Sequence, residues 1–437
     1  MRVLLAVLGL IATPVCADPP APVTDADYRP VDEAEARLGQ LLFYDPILSG
    51  NRNISCATCH HPRFGTADGL SLGLGEGGVG LGPDRVADLA NLPEQRIPRN
   101  APGLWNLGAR EFTVLFHDGR IEVDAGRKSG IRTPLEDDMT TGFSGVLSAQ
   151  TMFPVLSQDE MAGHYSENEV SKAVRQGLIT GPGGAWDLIS DRVAAIPDYA
   201  ERFASVYPEI AAGRGIAFTD ISNAIAAFMA FEWRSDDSAF DAWLRGEAVV
   251  ANGDWEQGIA LFYGDAGCSA CHAGPFQTDH GFHAMAGVQI GPGKAARFEI
   301  HARDVGRMRV TGRAGDAYRF RTPSLRNVAL TSPYGHAGAY RSLKEFLRAH
   351  TGAVGPESYD RDQAVLPDLP RAEDWRVLDD PDEVAAISAA FEGRRLALGE
   401  ADLEALMAFL VMLTGATAVE GRLGVPEAVP SGLPVEK

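Results

Sequence analysis

One five-residue pattern, Cys-X-X-Cys-His, occurs twice in this chain, at residues 56–60 and at residues 268–272. Two cysteines at positions i and i+3 lie on one turn, where both thiols can form thioethers with the vinyl groups of one porphyrin. The histidine directly after them is then aimed at the iron. The repeated pattern therefore predicts a chain organised around two covalently attached haems. The residues predicted to hold them are Cys56, Cys59 and His60 for the first haem and Cys268, Cys271 and His272 for the second.

Cysteine usage favours haem over the two other common roles of such pairs. The chain contains five cysteines, of which four belong to the two motifs and the fifth is Cys16. A disulfide framework gives no reason for the same two-residue gap, followed at once by histidine, in both places. A zinc site needs a second, spaced pair of ligands, and neither motif brings one.

The first 17 residues are predicted to be a cleaved signal peptide. Arg2 gives a positive start, residues 3–11 are apolar, and small residues precede Asp18. A lipid-anchor role for Cys16 is disfavoured because Pro14 fits such a signal poorly. The apolar stretch is too short to cross a bilayer and no later stretch reaches that length, so we expect export to the periplasm and no membrane span.

Length and charge bound the domain number and the partners. A chain of 437 residues suggests two domains, which we expect at 18–247 and 248–437. With 59 acidic and 39 basic residues, the net charge is −20. That charge argues against nucleic acid or an anionic membrane surface as partner. It suits a basic redox protein, although exported proteins are often acidic without such a partner.

Each half is predicted to begin with the same helical unit. Apolar residues at helical spacing occupy 38–43 before the first motif and 258–263 before the second, which indicates an internal duplication. A long helix is predicted at 220–244 between the halves, with a boundary at 246–253. A helix packed in the core is predicted at 400–413.

Two stretches are predicted to be irregular. The glycine-rich stretch 69–82 should be a loop that passes close to the first haem, and it lacks the Lys-Ser/Thr ending of a phosphate-binding loop. The stretch 352–382, rich in Pro and Asp, is interpreted as an insertion.

The first haem is predicted to have one open face. After His61 no histidine occurs before His117, so the loop beyond the first motif cannot supply a distal histidine. His61 itself is expected at the surface or beside a haem propionate. An iron with one protein ligand can bind peroxide, whereas a second protein ligand makes an electron relay.

Three further segments match a known family. Residues 41–50 read LLFYDPILSG, residues 320–331 read FRTPSLRNVALT, and residues 333–338 read PYGHAG, in which the family usually has Asp after the His. Over nearly all of the mature length the chain resembles the bacterial dihaem cytochrome c peroxidases and MauG-like enzymes, including the MbnH-like subgroup. The resemblance implies an all-α fold of two cytochrome c-like haem domains with long loops and a calcium site between the domains.

The resemblance also implies the calcium ligands and the pocket of the first haem. Calcium would be held by the Asn100 side chain and the carbonyls of Thr331 and Pro333, hard oxygen ligands of the kind it prefers. The catalytic pocket would contain Gln150, Pro154 and Glu160, whose four- and six-residue gaps match the family. A carboxylate there can take a proton from hydrogen peroxide and return it to the leaving oxygen. Gln150 would hold the oxidant, and Pro154 would exclude a further protein ligand.

The second haem is expected to be closed by a second protein ligand. The family's Met or Tyr position, counted from His336, falls on His350, which predicts a bis-histidine haem ligated by His272 and His350. The alternatives are Met285, Met308 and His283.

The segment expected between the two haems departs from the family. Residues 117–120 read HDGR, so His117 stands where the family commonly has a relay tryptophan. Either His117 or Trp105 is the candidate relay. An insertion at 121–148 separates this motif from the pocket.

Together these features predict a peroxidase. The open haem would react with hydrogen peroxide, and the second haem would relay electrons. The electrons come either from a small periplasmic donor, a cytochrome c or a cupredoxin, or from Trp side chains of a partner protein, as in the MauG-like enzymes. The missing distal histidine, the absent Met ligand and the HDGR motif favour the second source. The competing class is a non-catalytic dihaem electron-transfer cytochrome.

Overall fold

The structure is a computed structural model that describes residues 18–138, 142–294, 299–352 and 355–437. The predicted signal peptide at 1–17 lies outside the described residues. Within these ranges no helix is long and apolar enough to cross a membrane.

The fold is helical. The described residues contain fifteen α-helices: α1 Glu33–Tyr44, α2 Cys56–Cys59, α3 Val146–Thr151, α4 Glu169–Arg175, α5 Ala185–Ala194, α6 Pro197–Val206, α7 Pro208–Ala211, α8 Phe218–Glu232, α9 Ala239–Leu244, α10 Trp255–Tyr263, α11 Met308–Thr311, α12 Leu343–His350, α13 Pro381–Ala389, α14 Glu400–Met412 and α15 Ala416–Glu420. Short 3-10 turns join many of them.

The all-α expectation needs one addition, because three small antiparallel sheets occur among the described residues. Each strand has two or three residues: β1 Gly78–Val79, β2 Val86–Ala87, β3 Val114–Leu115, β4 Ile121–Val123, β5 Ile131–Arg132, β6 Phe282–His283 and β7 Phe320–Arg321. The sheets pair β1 with β2, β3 with β4 and β5, and β6 with β7. The insertion predicted at 121–148 thus begins with two strands of the second sheet.

Two helix pairs with the same contacts form the centres of the two halves. In the first half, α1 packs on α8, and a Cβ at Gly39 would lie 1.8 Å from the Ala224 carbonyl oxygen and 2.9 Å from the Phe228 Cβ. Phe43, one turn after Gly39, contacts the Phe228 ring at 5.3 Å. Glycine is required at this crossing because any side chain would collide with backbone.

The second half repeats this arrangement. Here α10 packs on α14, and a Cβ at Gly258 would lie 2.1 Å from the Ala405 carbonyl oxygen and 2.8 Å from the Phe409 Cβ. Phe262 contacts the Phe409 ring at 4.8 Å. The same glycine and phenylalanine, four residues apart, meet the same i, i+4 pair, which confirms the internal duplication. The core helix predicted at 400–413 is α14.

Each helix pair belongs to its own hydrophobic core, and the chain crosses between the two. The first core also contains Ala418 and Val429 from the end of the described chain. The second core also contains Leu72 and Phe240 from the first half. Residues from both halves therefore build both cores.

The single helix predicted at 220–244 is wrong, because α8 ends at Glu232 and α9 begins only at Ala239. Between the two helices, the Asn106 side chain forms hydrogen bonds with the backbone of Ser235. Its Oδ1 accepts from the Ser235 N–H at 2.7 Å, and its Nδ2 donates to the Ser235 carbonyl at 2.9 Å. The Asn106 N–H also donates to the Trp233 carbonyl. Ser238 then caps the new helix at Asp241.

Candidate functional site

The first Cys-X-X-Cys-His motif forms a helical turn that ends at His60. Ser55 caps α2, and its N–H donates to the Thr58 hydroxyl at 3.0 Å. The His60 N–H donates to the Cys56 carbonyl at 3.0 Å, and the His60 Nδ1 lies 2.9 Å from the Thr66 carbonyl. A ring held at Nδ1 by a backbone carbonyl keeps Nε2 available for a metal, as is usual for a ligating histidine.

The second motif repeats this geometry on a 3-10 turn at Cys268–Ala270. The His272 N–H donates to the Cys268 carbonyl at 3.0 Å, and the His272 Nδ1 lies 3.1 Å from the Gln277 carbonyl. All four motif cysteines are free thiols, namely Cys56, Cys59, Cys268 and Cys271. Free thiols beside an imidazole with an available Nε2 fit the attachment of haem at both places.

His61 departs from the expected surface position, because its side chain is only 3% exposed. Its Nδ1 accepts from the Arg63 N–H at 3.2 Å, and its ring packs edge-on against Tyr44 with 6.4 Å between centroids. The tight turn that begins at Pro62 folds the imidazole back into the core, which local sequence could not reveal.

His350 lies opposite His272. It ends α12, and the two ring centroids are 6.1 Å apart with an interplanar angle of 57°. Because a metal–imidazole bond is about 2 Å long, two axial imidazoles have centroids on the order of 6 Å apart. Burial, and then the neighbouring His272, lowers the pKa of His350 to about 4, so the ring is neutral and able to ligate at physiological pH.

The alternative ligands of the second haem have other neighbours. His283 Nε2 is 2.8 Å from the Asp279 carboxylate, and its Nδ1 is 3.5 Å from Glu392. The Met285 methyl lies against Gly393, since a Cβ added to Gly393 would be 2.7 Å from that methyl carbon. Met308 begins α11.

The three pocket residues lie on consecutive short helical segments. Gln150 is in α3, Pro154 begins the 3-10 turn Pro154–Leu156, and Glu160 lies in the π-helical turn Gln158–Ala162. π-helical turns are rare in proteins overall, but those that occur are often found at functional sites. Gln150 Oε1 is buried without a hydrogen-bond partner among the described residues. Burial raises the pKa of Glu160, and the charges of Lys294 and Arg120 oppose that rise.

Glu160 also lies near the segment that leads into the first motif, since the Gly50 N–H donates to the carbonyl of the next residue, Met161, at 2.8 Å. The carboxyl group is therefore on the side of the molecule where the first haem would be attached. A carboxyl group with a raised pKa can hold a proton at a pH where ordinary glutamates are ionised.

Sequence reasoning missed Lys294 and Arg120, which act electrostatically on Glu160. Both line a cavity of about 430 Å³. Burial and the charge of Arg120 lower the pKa of Lys294. Arg120 ends the HDGR motif, but nothing in that motif places it near Glu160, and no motif marks Lys294. The cavity is lined by Asp118, Arg120, Arg127, Arg132, Thr133, Pro134, Glu136, Lys294, Arg309 and Val310.

A buried ion-pair network joins the HDGR motif to the second half. Arg99 donates from Nη1 to Asp118 at 2.9 Å and from Nε to Asp304 at 2.6 Å. Arg120 donates from Nη2 to Asp118 at 2.6 Å. These charge-assisted bonds hold the pKa of Asp118 and of Asp304 well below the usual range, against the effect of burial.

His117 and Trp105 have different surroundings. Burial lowers the pKa of His117 to about 3, with further lowering by Arg99 and His336, so the ring stays neutral. The Arg321 N–H donates to the His117 carbonyl at 2.8 Å, which ties this residue to β7. Trp105 is 4% exposed in the first core, and its Nε1 is buried without a partner among the described residues.

The residues proposed for calcium come from both halves. The Asn100 N–H donates to the His336 carbonyl at 3.0 Å, and its Nδ2 donates to the Leu70 carbonyl at 2.8 Å. The Thr331 methyl lies 3.0 Å from the position that a Cβ at Gly103 would take. Asn100 and the segment of Thr331 and Pro333 are thus brought to the same seam.

Comparisons with known proteins agree with this arrangement. The family model described as di-haem cytochrome c peroxidase matches residues 33–249. The methylamine utilization protein MauG of Methylorubrum extorquens is 30% identical over 331 residues, covering 75% of this chain and 71% of that protein. The cytochrome c551 peroxidase of Pseudomonas aeruginosa is 28% identical over 326 residues, covering 75% and 74%.

Solved structures resemble the whole described fold. The crystal structure of a MauG-like protein associated with microbial copper homeostasis has a TM-score of 0.60 and 26% identity, covering 94% of this chain and 96% of that one. The diheme peroxidase BthA of Burkholderia thailandensis has a TM-score of 0.54 and 21% identity, covering 96% of each chain, a likeness of fold alone.

Proposed function

Since this chain belongs to the di-haem cytochrome c peroxidase and MauG family, whose members are peroxidases with hydrogen peroxide as acceptor, we propose that peroxide is reduced at a haem attached to Cys56 and Cys59, with Glu160 as acid–base residue. The electrons come from a partner protein. The observation that carries the proposal is the partly buried carboxyl group of Glu160, whose pKa is raised. It lies near the first motif, in the π-helical turn that follows Pro154.

The chain's own residues fit two haems of the c type. His60 and His272 would each ligate an iron through Nε2, and the four free thiols would form the thioethers. When bound, the first haem supplies an iron that reacts with peroxide, and the second, ligated by His272 and His350, exchanges electrons without binding substrate. The two helix pairs, α1 with α8 and α10 with α14, support one haem domain at 18–247 and another at 248–437.

Glu160 moves the proton in this proposal. Its carboxylate would accept a proton from hydrogen peroxide and return it to the oxygen that leaves as water. Gln150 Oε1 has no partner among the described residues and could accept a hydrogen bond from hydrogen peroxide. Pro154 has no N–H and no polar side-chain atom, so it narrows the pocket without offering a ligand.

The test is the rate of reaction of the haem-loaded protein with hydrogen peroxide. Glu160→Gln should lower the second-order rate constant on the order of 10²- to 10⁴-fold, the usual contribution of an acid–base group. Glu201→Gln, at an exposed position of α6, is the matched control and should leave the rate unchanged. Equal rates for the two variants would remove Glu160 from the mechanism.

Electron paramagnetic resonance of the ferric protein separates this proposal from the electron-transfer class. One high-spin and one low-spin haem, both losing signal with one equivalent of peroxide, support a peroxidase with an open first haem. Two low-spin signals that ignore peroxide support a non-catalytic cytochrome instead.

The electron source is a protein, either a small periplasmic cytochrome c or cupredoxin, or a substrate whose Trp side chain is oxidised. The net charge of −20 favours a basic partner. Likeness to the MauG-like protein, together with His117 at the relay position and His350 as ligand, favours the oxidised side chain. His117 or Trp105 would relay electrons between the haems. Covalent haem attachment and residues 1–17 support export to the periplasm, which fractionation of the producing cells tests.

Calcium is proposed at the seam between the halves, on Asn100, Thr331 and Pro333. No hydrogen bond from the described backbone N–H groups ends on the Thr331 or Pro333 carbonyl, which leaves these oxygens for a cation. Chelation with EGTA should change the resonance spectrum of at least one haem, and adding calcium should restore it. An unchanged spectrum in protein shown by metal analysis to have lost calcium would exclude this role.

A further inference from the structure

The glycine-rich loop at 69–82 contacts the backbone of the proposed acid–base residue directly. A Cβ at Gly75 would lie 2.2 Å from the Asp159 carbonyl oxygen and 2.7 Å from both the Glu160 Cα and the Glu160 carbonyl oxygen. The Glu76 N–H donates to the Asp159 carbonyl at 3.1 Å. Only glycine allows this approach, because real Cβ atoms essentially never come that close to backbone.

The loop is in turn held by one arginine. Arg85 is 2% exposed, and its guanidinium nitrogens donate to three loop carbonyls. Nε donates to Leu74, Nη2 to Gly75 at 2.8 Å, and Nη1 to Gly80 at 2.6 Å. Five N–H donors in a fixed plane suit this task, and the single ammonium of lysine could not replace them.

The same loop is tied to the segment that leads into the first motif. Glu76 Oε1 accepts from the Asn53 Nδ2 at 3.0 Å and from the Asn91 Nδ2 at 3.0 Å. Asn53 precedes Cys56 by three residues. The loop therefore connects the Asn53 side chain, three residues before the first motif, with the backbone of Asp159 and Glu160.

We propose that Arg85 is a positioning residue for Glu160: it shapes the loop so that Gly75 and Glu76 hold the Asp159–Glu160 backbone in place. This inference rests on the proposed role of Glu160. Displacement of a reacting group by about 1 Å can cost on the order of 100-fold in rate, so a backbone clamp of this kind affects the reaction without touching peroxide.

The first experiment uses Gly75→Ala in the haem-loaded protein. Gly75 has no positive φ, so alanine there adds only the clash. The rate constant with peroxide should fall on the order of 10- to 100-fold. Gly315→Ala is the matched control, because that glycine also has no positive φ and nothing lies within 4 Å of the added Cβ. Amide hydrogen exchange at 160–162, whose N–H groups donate to the Ser157 carbonyl, should be faster in Gly75→Ala alone.

A double variant shows whether the loss acts through Glu160. In the Glu160→Gln background, Gly75→Ala should cause no further loss of rate, since the group it positions is gone. An additive loss would overturn the inference. If Glu160→Gln alone has no effect, the proposed function fails, while the exchange measurement still reports on the clamp.

Arginine itself is tested by two substitutions. Arg85→Gln should reproduce the Gly75→Ala phenotype, and Arg85→Lys should give an intermediate rate because it keeps the charge but loses the planar guanidinium whose three nitrogens reach three carbonyls. Arg37→Lys, at an exposed i, i+4 pair with Glu33, is the control. Should these variants not accumulate, Gly78→Ala is a milder substitution. Its added Cβ would lie 2.6 Å from the Nε of the Arg85 side chain. Unchanged rate and exchange in folded Gly75→Ala and Gly78→Ala proteins would refute the clamp.

Discussion

At the scale of single residues, the attachment sites follow from local spacing, but the residues that face them do not. Cysteines at i and i+3 come together on one turn wherever the segment is helical, and both motifs form such turns. His350 could be proposed because its distance from His336 matched the family. The charges of Lys294 and Arg120 lower the pKa of Glu160 from positions that no sequence spacing encodes.

The geometry of His350 leads to a residue-scale prediction. His350→Ala should convert the low-spin ferric signal of the second haem into a high-spin signal, because it removes the only imidazole that the structure places 6.1 Å from His272 among the described residues. Electron paramagnetic resonance measures this. Met285→Leu and His283→Ala should leave the low-spin signal intact. Loss of that signal in either of them, with retention in His350→Ala, would assign the ligand elsewhere.

At the scale of elements, the duplicated helix pairs were predictable and the break after α8 was not. Apolar residues at helical spacing predicted both lead-in helices and the core position of α14. Nothing in residues 233–238 forbids a helix, but the Asn106 side chain forms hydrogen bonds with both backbone groups of Ser235. Tertiary hydrogen bonds therefore overrode a helical pattern of the local sequence.

The glycine at each helix crossing supports an element-scale prediction. Gly258→Ala should lower the midpoint of urea unfolding, because its Cβ would lie 2.1 Å from the Ala405 carbonyl oxygen. The expected loss in the free energy of unfolding is about 1–3 kcal/mol. Helix propensity works in the opposite direction, since alanine is favoured over glycine within a helix. Gly215→Ala, at a position with nothing within 4 Å, is the control. A midpoint equal to or above that of the unmodified protein would show that the helices separate without cost.

At the scale of the whole molecule, Arg99 joins the two halves through Asp118 and Asp304. Both carboxylates have lowered pKa values because Arg99 donates to them in a buried site. A carboxyl group with a lowered folded pKa stabilises the fold above its unfolded pKa, and that contribution is lost as the pH falls through the folded value. The seam should therefore weaken in acid.

Asp304→Asn tests this contribution. Near neutral pH the variant should be less stable by about 3–5 kcal/mol, because one charge of a buried pair is removed. The difference from the unmodified protein should shrink as the pH falls below about 4, where the Asp304 carboxyl group of the unfolded chain begins to take up a proton, and it should vanish as the pH falls through the lower pKa of the folded state. Urea unfolding between neutral and acidic pH measures it, with the exposed Asp191→Asn as control. A difference that stays constant with pH would contradict the assignment.

The sequence by itself predicted where two haems would attach and that two similar helical units surround those places, and it indicated the family to which the chain belongs. These properties depend on residues a few positions apart, whose geometry is local, and on motifs that a family shares. The tertiary structure alone decided that Gly75 contacts the backbone of Glu160 and that Arg85 bonds to the Gly75 loop, that Arg99 joins the halves, and that His61 is buried. Those contacts join segments from about 10 to more than 200 positions apart, and loop closure of that kind leaves no periodic pattern in the sequence.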